Sequence, residues 1–406
     1  MPGWHEATKR LQQEGRLQMV GIIEEQHPDR GRLFMQWKQM DWPVMADPLN
    51  LLGVEGVPLT VAIDEYGIVR RVGLKLSEAA EIEKAFVSRP YEPPQGSAEA
   101  APQPAPPPPD LARFEEQAQD GGAAAWRRYA DALVLWGGEE RLEDAIAAYR
   151  RALDMQPEDA PAHFRLGVAL RKRYDSPYRK KTDFQAAVDE WRMALEINPN
   201  QYIWRRRIQQ YGPRLDKPYP FYDWVRRARD EIRVRGETPV ELRVQPGGAE
   251  FARPVERFET AAGTEREPDP QGKIRRDEEG LIQVETTMVP GVVAPGGAVR
   301  VHLVFRPNEE IQAHWNNEVE DLVVWVDPAP GWQVSRRSLT VPNPPEPVST
   351  EPREVEFELR APPDASPGGH VTTGYALYYV CEDAGGTCLY RRRDFKAPVL
   401  VREPQP

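Results

Sequence analysis

The stretch LEDAIAAYRRALDMQPED, residues 142–159, has a counterpart in FQAAVDEWRMALEINPNQ, residues 184–201. In both stretches small residues and an aromatic residue recur at helical spacing, and a proline follows. This spacing predicts an amphipathic helix, which ends at the proline because proline cannot donate a backbone hydrogen bond. The chain therefore contains an internal helical repeat. Its matching positions lie 42 residues apart and are Ala145, Tyr149, Ala152 and Pro157 in the first stretch and Ala187, Trp191, Ala194 and Pro199 in the second.

The pattern of small, aromatic, small and proline resembles the second helix of a tetratricopeptide repeat. The stretch APAHFRLGVAL (160–170) resembles the first helix of the next repeat, with Leu166 and Gly167 at the family's Leu-Gly positions. Because the family's period is 34 residues, we interpret YDSPYRKK as an insertion of about eight residues. The resemblance implies an all-α solenoid over residues 111–236, in which residues 201–235 form a third pair or a cap. Such arrays bind a segment of another protein, and the alternative is a helical spacer.

Composition and charge limit the possible functions of the chain. A length of 406 residues predicts several domains, and a proline-rich tract at 89–110 predicts a stiff, extended linker between independent units. The net charge of -11 argues against nucleic-acid binding, and the arginine clusters at 204–207 and 390–393 are interpreted as solvated faces. No run of about twenty apolar residues occurs, so we expect no membrane span.

Residues 1–88 alternate strands and helices in an order that predicts an α/β unit ending in a hairpin. The order resembles the later two-thirds of a thioredoxin fold, and GVPLT (56–60) resembles that family's proline turn. The resemblance implies that Pro58 is a cis-proline beside the place where a partner's thiol is presented. The family's Cys-x-x-Cys is absent, so this partial domain cannot exchange dithiols unless the chain has lost its true start. His5 and His27 lie in no metal-ligand pattern and are interpreted as ordinary histidines.

Residues 281–406 contain about seven short strands separated by Pro/Gly turns, which predicts an immunoglobulin-like β-sandwich. An irregular connector, residues 237–280, precedes it. Trp325 and Tyr378 are expected in the core of this domain. His314 and Glu318 are too few to predict a metal site, and no cofactor is expected.

The only two cysteines, Cys381 and Cys388, flank a hairpin turn in this domain. If Ala384-Gly385 forms the turn, the cysteines face each other at a hydrogen-bonded position with Cα atoms about 5.5 Å apart. The Cβ atoms would then be slightly too far apart for an unstrained bridge. If Gly385-Gly386 forms the turn, the sulfurs do not face each other. Nearby cations at 391–393 would favour a thiolate, so thiol exchange, a structural bridge and two free thiols all stay open.

The stretch YALYYVCEDAGGTCLYRRRDF resembles the immunoglobulin-like amino-terminal domain of the thiol:disulfide interchange protein DsbD. That resemblance implies that Cys381 and Cys388 exchange electrons with a protein partner outside the cytoplasm, in the periplasm of a bacterium. Whether the chain is an enzyme is left open, and a thiol-disulfide oxidoreductase is the activity expected if it is. The alternative is a non-catalytic repeat scaffold with a structural disulfide, and a cytoplasmic location is the alternative to the periplasm.

Overall fold

The computed structural model describes residues 1–93, 106–382 and 386–403. The chain divides into two compact units, and each is built from three separate segments. The predicted linker lies largely outside the described residues, and the predicted domain boundaries stay predictions. Unit 1 contains Met1–Tyr178, Met193–Arg205 and Asp223–Gln245, and unit 2 contains Arg179–Arg192, Arg206–Tyr222 and Pro246–Pro406.

The amino-terminal part of unit 1 alternates helices with short strands. β1 and β2 pair in parallel, and β3 and β4 form an antiparallel hairpin. Within the described residues these are two separate two-stranded sheets, whereas the sequence pattern indicated one α/β sheet. The elements are α1 (Pro2–Gln13), β1 (Gly21–Ile23), α2 (Pro28–Trp37), β2 (Val44–Ala46), β3 (Val61–Ile63), β4 (Val69–Val72) and α3 (Ala79–Ile82), which continues as a wider helical turn over Glu83–Val87.

Both strand pairs leave apolar side chains exposed. Ile22 lies opposite Met45 and Val61 lies opposite Val72, and these four side chains are between 41% and 63% exposed. A two-stranded sheet has too little area to cover both of its faces and is marginally stable by itself. The amino-terminal segment therefore depends on neighbouring elements of unit 1 for its stability.

The repeat region, residues 111–236, consists of helices joined by connections, of which residues 210–223 form the longest. Asp159 caps one of its helices, because its side chain accepts a hydrogen bond from the backbone N–H of Ala162. The predicted insertion, residues 174–181, begins at the last residue of α7 and continues through the connection to α8. The helices are α4 (Leu111–Gln119), α5 (Ala123–Trp136), α6 (Leu142–Met155), α7 (Ala160–Tyr174), α8 (Asp183–Ile197), α9 (Tyr202–Gln209) and α10 (Trp224–Val234).

Within unit 1, the amino-terminal segment packs directly on the repeat helices. Arg165 of α7 donates from Nε to the backbone oxygen of Leu49 at 3.1 Å, and Leu49 is fully buried. The Gln26 side-chain amide donates to the backbone oxygen of Val168 at 3.2 Å. The expectation that the first domain and the repeats are independent units is therefore wrong at this contact.

Unit 2 contains two β-sheets that share one apolar core. The smaller sheet has the order β10-β13-β7-β5, and the larger, curled sheet has the order β11-β9-β14-β15-β6, with β8 paired to β14 and β12 paired to β8. Strands begin at Ile282, close to the predicted boundary, while the immunoglobulin-like assignment stays a prediction. The elements are α11 (Gly248–Phe251), β5 (Ile282–Val289), β6 (Val292–Val293), β7 (Ala298–Pro307), β8 (His314–Asn316), β9 (Leu322–Asp327), β10 (Gln333–Val334), β11 (Ser338–Val341), β12 (Val348–Ser349), β13 (Arg353–Arg360), β14 (Gly368–Cys381) and β15 (Cys388–Val401).

Candidate functional site

The two cysteines form a disulfide across the β14–β15 hairpin. Cys381 ends β14, Cys388 begins β15, and the register places them directly opposite each other with an S–S distance of 2.01 Å. Their Cα atoms are 4.0 Å apart, so the expected 5.5 Å is wrong. The next pair of residues toward the turn is Glu382 and Thr387. It is a hydrogen-bonded pair, because the Glu382 N–H donates to the Thr387 oxygen at 3.3 Å. The cysteines thus occupy a non-hydrogen-bonded position, where strands approach more closely.

The expected strain from a long Cβ separation therefore does not apply to this disulfide. The choice between an Ala384-Gly385 turn and a Gly385-Gly386 turn falls on residues that lie outside the described part of the chain. The paired register of the cysteines excludes the arrangement in which the two sulfurs face apart.

The two halves of the disulfide differ in exposure. Cys381 is 3% exposed, whereas Cys388 is exposed. The neighbouring residue Val380 belongs to the shared core, and side chains alternate along a strand, so both cysteines point to the outer face of the larger sheet. A dissolved thiol therefore reaches this disulfide through the sulfur of Cys388.

Three arginines, Arg391, Arg392 and Arg393, follow Cys388 on β15, and each contacts an acidic residue. Arg392 donates to Asp269 at 3.0 Å and to Asp394 at 2.8 Å. Arg393 donates to the backbone oxygen of Asp277 at 2.8 Å, and Arg391 lies 4.0 Å from Glu279. Each of the three arginines thus contacts a group other than the cysteines, and the expectation that Arg391, Arg392 and Arg393 favour a thiolate stays a prediction.

Strand β8 brings a histidine to the other side of Cys381. His314 pairs with Cys381 in register, so the order across three strands is His314, Cys381, Cys388. Its Nδ1 lies 3.4 Å from the backbone oxygen of Gln312. Sequence reasoning considered His314 only as a metal ligand, and missed this position because nothing local in the sequence sets the β8–β14 register. Among the described residues no cluster of three metal-ligating side chains is found.

A stacked aromatic pair lies next to the disulfide on the same face. Tyr379 lies opposite Tyr390, two residues from each cysteine, and their rings stack with centroids 4.4 Å apart. Burial, followed by a hydrogen bond with Glu320, raises the pKa of Tyr379. Burial, followed by the proximity of Tyr379, raises the pKa of Tyr390. Both hydroxyls therefore stay neutral near neutral pH.

Further along this face the sheet forms a cavity of about 580 Å³. Trp325, expected in the main core, is buried but lies in a separate cluster with Tyr375 that lines this cavity. The Arg392 guanidinium covers the Tyr375 ring at 3.7 Å. Tyr378 lies in the main core as expected, where its hydroxyl donates to Asp277 at 2.8 Å.

The repeat positions found in the sequence lie on α6, α7 and α8 or directly after them, and all but the two prolines are buried. The two prolines follow the ends of α6 and α8 and are exposed. Small residues at the buried positions allow close approach of neighbouring helices. The buried positions are Ala145, Tyr149, Ala152, Leu166, Gly167, Ala187, Trp191 and Ala194.

The remaining candidates lie in the amino-terminal segment. The Val57–Pro58 peptide bond is cis. His5 contacts Asp41 at 2.9 Å, and His27 lies 3.6 Å from Asp175. Each of these histidines therefore lies near a carboxylate. The role of Pro58 beside a partner's thiol stays a prediction.

Comparison with known proteins supports the repeat assignment. Residues 139–172, which cover α6 and most of α7, match the family model described as TPR repeat. The prediction of a tetratricopeptide-repeat region is therefore confirmed there, and such a repeat indicates a scaffold for protein–protein interaction. No curated protein matches the chain. Within the described residues, the search for a helix both long and apolar enough to cross a bilayer finds none.

Solved structures give only weak likenesses. Spo0M, a sporulation control protein from Bacillus subtilis, is 14% identical with a TM-score of 0.17, and the match covers 31% of this chain and 51% of Spo0M. AvmM, which catalyses macrocyclization in alchivemycin A biosynthesis, is 14% identical over 33% of this chain and 97% of AvmM, with a TM-score of 0.19. The Pseudomonas fluorescens DNA glycosylase AlkC is 11% identical over 72% of this chain and 63% of AlkC, with a TM-score of 0.16. These scores carry no functional argument.

Proposed function

We propose that this chain is a tetratricopeptide-repeat scaffold that binds a protein partner and exchanges its Cys381–Cys388 disulfide with a thiol of that partner. The observation that carries the proposal is the unequal exposure of the two cysteines, since Cys388 is exposed and Cys381 is 3% exposed. Exchange requires one attackable sulfur and one sulfur that leaves. This disulfide offers the two in a fixed arrangement.

The exchange conserves atoms and electrons at each step. A partner thiolate attacks the Cys388 sulfur, the disulfide breaks, and Cys381 leaves as a thiolate while the partner and Cys388 form a mixed disulfide. A second partner thiolate then attacks the partner sulfur in the mixed disulfide, which releases Cys388 and an oxidised partner. Two electrons pass from the partner to the cysteine pair.

The surrounding domain supports reversible exchange. Its two sheets enclose a continuous apolar core that includes Trp315, Phe357 and Tyr378. Closing the short loop between the cysteines contributes roughly 2 to 3 kcal/mol in the chain-entropy model. Such a contribution is small beside the burial of that core, so we expect the reduced domain to stay folded.

The finer assignments are part of the same proposal. The strand and helix order of residues 1–88 supports a partial thioredoxin-like domain. The hairpin cysteines support a DsbD-like carboxy-terminal domain. Two folds associated with thiol chemistry favour an extracytoplasmic, periplasmic location, because disulfides persist in oxidising compartments.

A second candidate function is a non-catalytic scaffold whose disulfide is structural. The pairing of Arg392 and Arg393 with Asp269, Asp394 and the Asp277 backbone favours it, because these contacts hold both guanidinium groups to partners other than the cysteines. In this case the chain would bind the same class of partner through its repeats, and the cysteines would never be reduced during function.

A redox titration of the full chain separates the two candidates. Cys381 and Cys388 are the only cysteines, so alkylation after equilibration in glutathione buffers reports this pair alone. We expect a potential above the roughly -300 mV typical of inert structural disulfides, with the cooperative unfolding transition retained after reduction. A lower potential, or unfolding on reduction, would assign the disulfide a structural role. The double variant C381S/C388S is the control for loss of the bridge without reductant.

The partner assignment needs a separate measurement. The full chain, immobilised and incubated with a bacterial envelope fraction, is expected to retain a defined protein that the variant Leu166→Arg, which disrupts the buried repeat helix, does not retain. Retention of nucleic acid that salt removes steeply would contradict the assignment.

A further inference from the structure

We infer that His314 donates a proton to the Cys381 sulfur as it leaves, and takes the proton back when Cys381 attacks. This inference rests on the proposed exchange at the same disulfide. In the strand register, Cys381 lies between His314 on β8 and Cys388 on β15. Residues directly opposite on paired strands have Cβ atoms about 4.5 to 5.5 Å apart and point to the same face.

The face that His314 shares with the disulfide follows from its neighbours. Trp315 and Val380, the pair next to His314 and Cys381, are both fully buried in the shared core. Alternation along each strand therefore turns His314 and Cys381 to the outer face together. His314 is half-buried, and the register sets it beside Cys381, the buried half of the disulfide.

Burial makes the leaving sulfur the one that needs a proton. Attack at exposed Cys388 releases Cys381 as a thiolate at a site that is only 3% exposed. Desolvation disfavours a charged thiolate, so a proton donor beside it lowers the cost of the step. His314 is the imidazole that the register places there.

Of the two ring nitrogens of His314, Nδ1 contacts the backbone and Nε2 is the one assigned to proton transfer. Its Nδ1 lies 3.4 Å from the backbone oxygen of Gln312, a contact in which Nδ1–H donates. Nε2 is then the nitrogen that gains and loses a proton. In the forward step the imidazolium N–H at Nε2 passes its proton to the Cys381 sulfur, and the reverse step returns it, so charge and protons balance.

The test compares rates of reduction by dithiothreitol for the full chain and for His314→Gln, across pH 5.5 to 8.5. After correction for the reagent's thiolate fraction, we expect the wild-type rate to fall as pH rises, and the H314Q rate to lose this pH dependence. At the lowest pH we expect H314Q to be slower by at least about tenfold, near the lower end of the effect of a positioned acid.

The pH profile separates His314 from the two tyrosines beside the disulfide, which do not change charge in this window. Tyr379 and Tyr390 have raised pKa values because of burial, so they stay neutral. Histidine is the side-chain type whose charge ordinarily changes between pH 5 and 8. Charged side chains near this edge include Glu320, which hydrogen bonds with Tyr379, and Arg353, whose guanidinium covers the Trp315 ring at 4.3 Å. Glu318 and Glu382 are near in the sequence to His314 and Cys381, respectively.

A matched control lies on the same strand as Cys381. His370 is half-buried, and its Nε2 contacts the Ser366 oxygen at 2.8 Å, eleven residues from Cys381. His370→Gln should reduce at the wild-type rate. If H314Q folds poorly, His314→Ala with added imidazole replaces it, and a rate that rises with imidazole supports the inference.

Each outcome bears on a stated claim. Equal rates and equal pH profiles for wild type, H314Q and H370Q would overturn the role of His314 and leave the exchange proposal in place. A potential in the range of inert structural disulfides would overturn the exchange proposal, while the ratio of dithiothreitol rates would still decide the role of His314. A disulfide that dithiothreitol does not reduce in the folded chain would overturn both.

Discussion

Tyr149 donates its hydroxyl hydrogen bond to Asp131 at 2.7 Å, from the second helix of the first repeat to the first. Arg165 donates to the other oxygen of the same carboxylate at 2.7 Å. Tyr149 is fully buried, and Asp131 is 8% exposed. The aromatic position of the repeat therefore both fills the helix interface and satisfies a buried charge.

Removing the Tyr149 hydroxyl should destabilise the chain. Tyr149→Phe keeps the ring but leaves one oxygen of Asp131 without its donor, so we expect the free energy of unfolding to fall by about 1 to 3 kcal/mol. Tyr178→Phe is the control, because Tyr178 is 53% exposed and should change stability by less than about 0.5 kcal/mol. Urea denaturation followed by circular dichroism measures both. Equal stabilities of Y149F and wild type would show that the hydrogen bond contributes nothing.

The repeat illustrates what the sequence could predict. Ala145 and Ala187 lie 42 residues apart in matching local patterns, and helical spacing places each on a buried face. The partners of Asp131 could not be predicted in this way. Arg165 is on a different helix, and only the packed repeat brings its guanidinium to the carboxylate.

At the cysteine site too, the contacts between distant strands could not be predicted from local sequence patterns. Two cysteines near a Gly-Gly pair predicted a hairpin, but the register depends on the whole length of β14 and β15. Arg392 and Arg393 also contact Asp269 and the Asp277 backbone, more than a hundred residues earlier in the chain, and no local pattern in the sequence indicates those contacts. His314 reaches Cys381 through strand pairing that no local pattern specifies.

The amino-terminal segment should depend on its contact with the repeats. Leu49 is fully buried, and its backbone oxygen accepts from Arg165. Leu49→Ala should lower the free energy of unfolding by about 2 to 5 kcal/mol, because it removes a buried side chain and leaves a cavity. Leu52→Ala is the control, since Leu52 is 61% exposed.

The same contact predicts the behaviour of an isolated fragment. Residues 1–88 without the repeats should show no cooperative thermal transition, because two separate two-stranded sheets with exposed apolar side chains are marginal alone. A sharp transition and a dispersed amide spectrum from that fragment would show that the segment folds independently.

Single cysteine variants should reveal the unequal exposure of the two sulfurs. In Cys381→Ser the remaining Cys388 is exposed, and in Cys388→Ser the remaining Cys381 is buried. We expect iodoacetamide to modify folded C381S at least about tenfold faster than folded C388S, because access and thiolate character control the rate. Mass spectrometry of intact protein measures the rates, and denatured samples provide the control. Equal rates of modification in the two folded variants would contradict the proposal that a thiol attacks only the Cys388 sulfur.

Lys217 in unit 2 predicts a pH dependence of stability. Its Nζ donates to the backbone oxygens of Gln209 and Gln210 at 2.8 and 2.7 Å, and Lys217 is 4% exposed. Burial, followed by the charge of Arg300, lowers its pKa to about 7. The lowered value means that the folded chain releases this proton at a lower pH than the unfolded chain does.

The direction of the effect follows from proton linkage. Between pH 7 and the ordinary lysine value of about 10.4, the unfolded chain binds one more proton at this site, so the contribution of Lys217 to the free energy of unfolding rises with pH. The expected slope is up to about 1.4 kcal/mol per pH unit. Lys217→Met should remove that slope, whereas Lys396→Met, at an exposed position, should keep it. Denaturant titrations of the three proteins from pH 6.5 to 9.5 measure the difference, and parallel curves for wild type and K217M would show that Lys217 carries its full charge in the folded chain throughout this range.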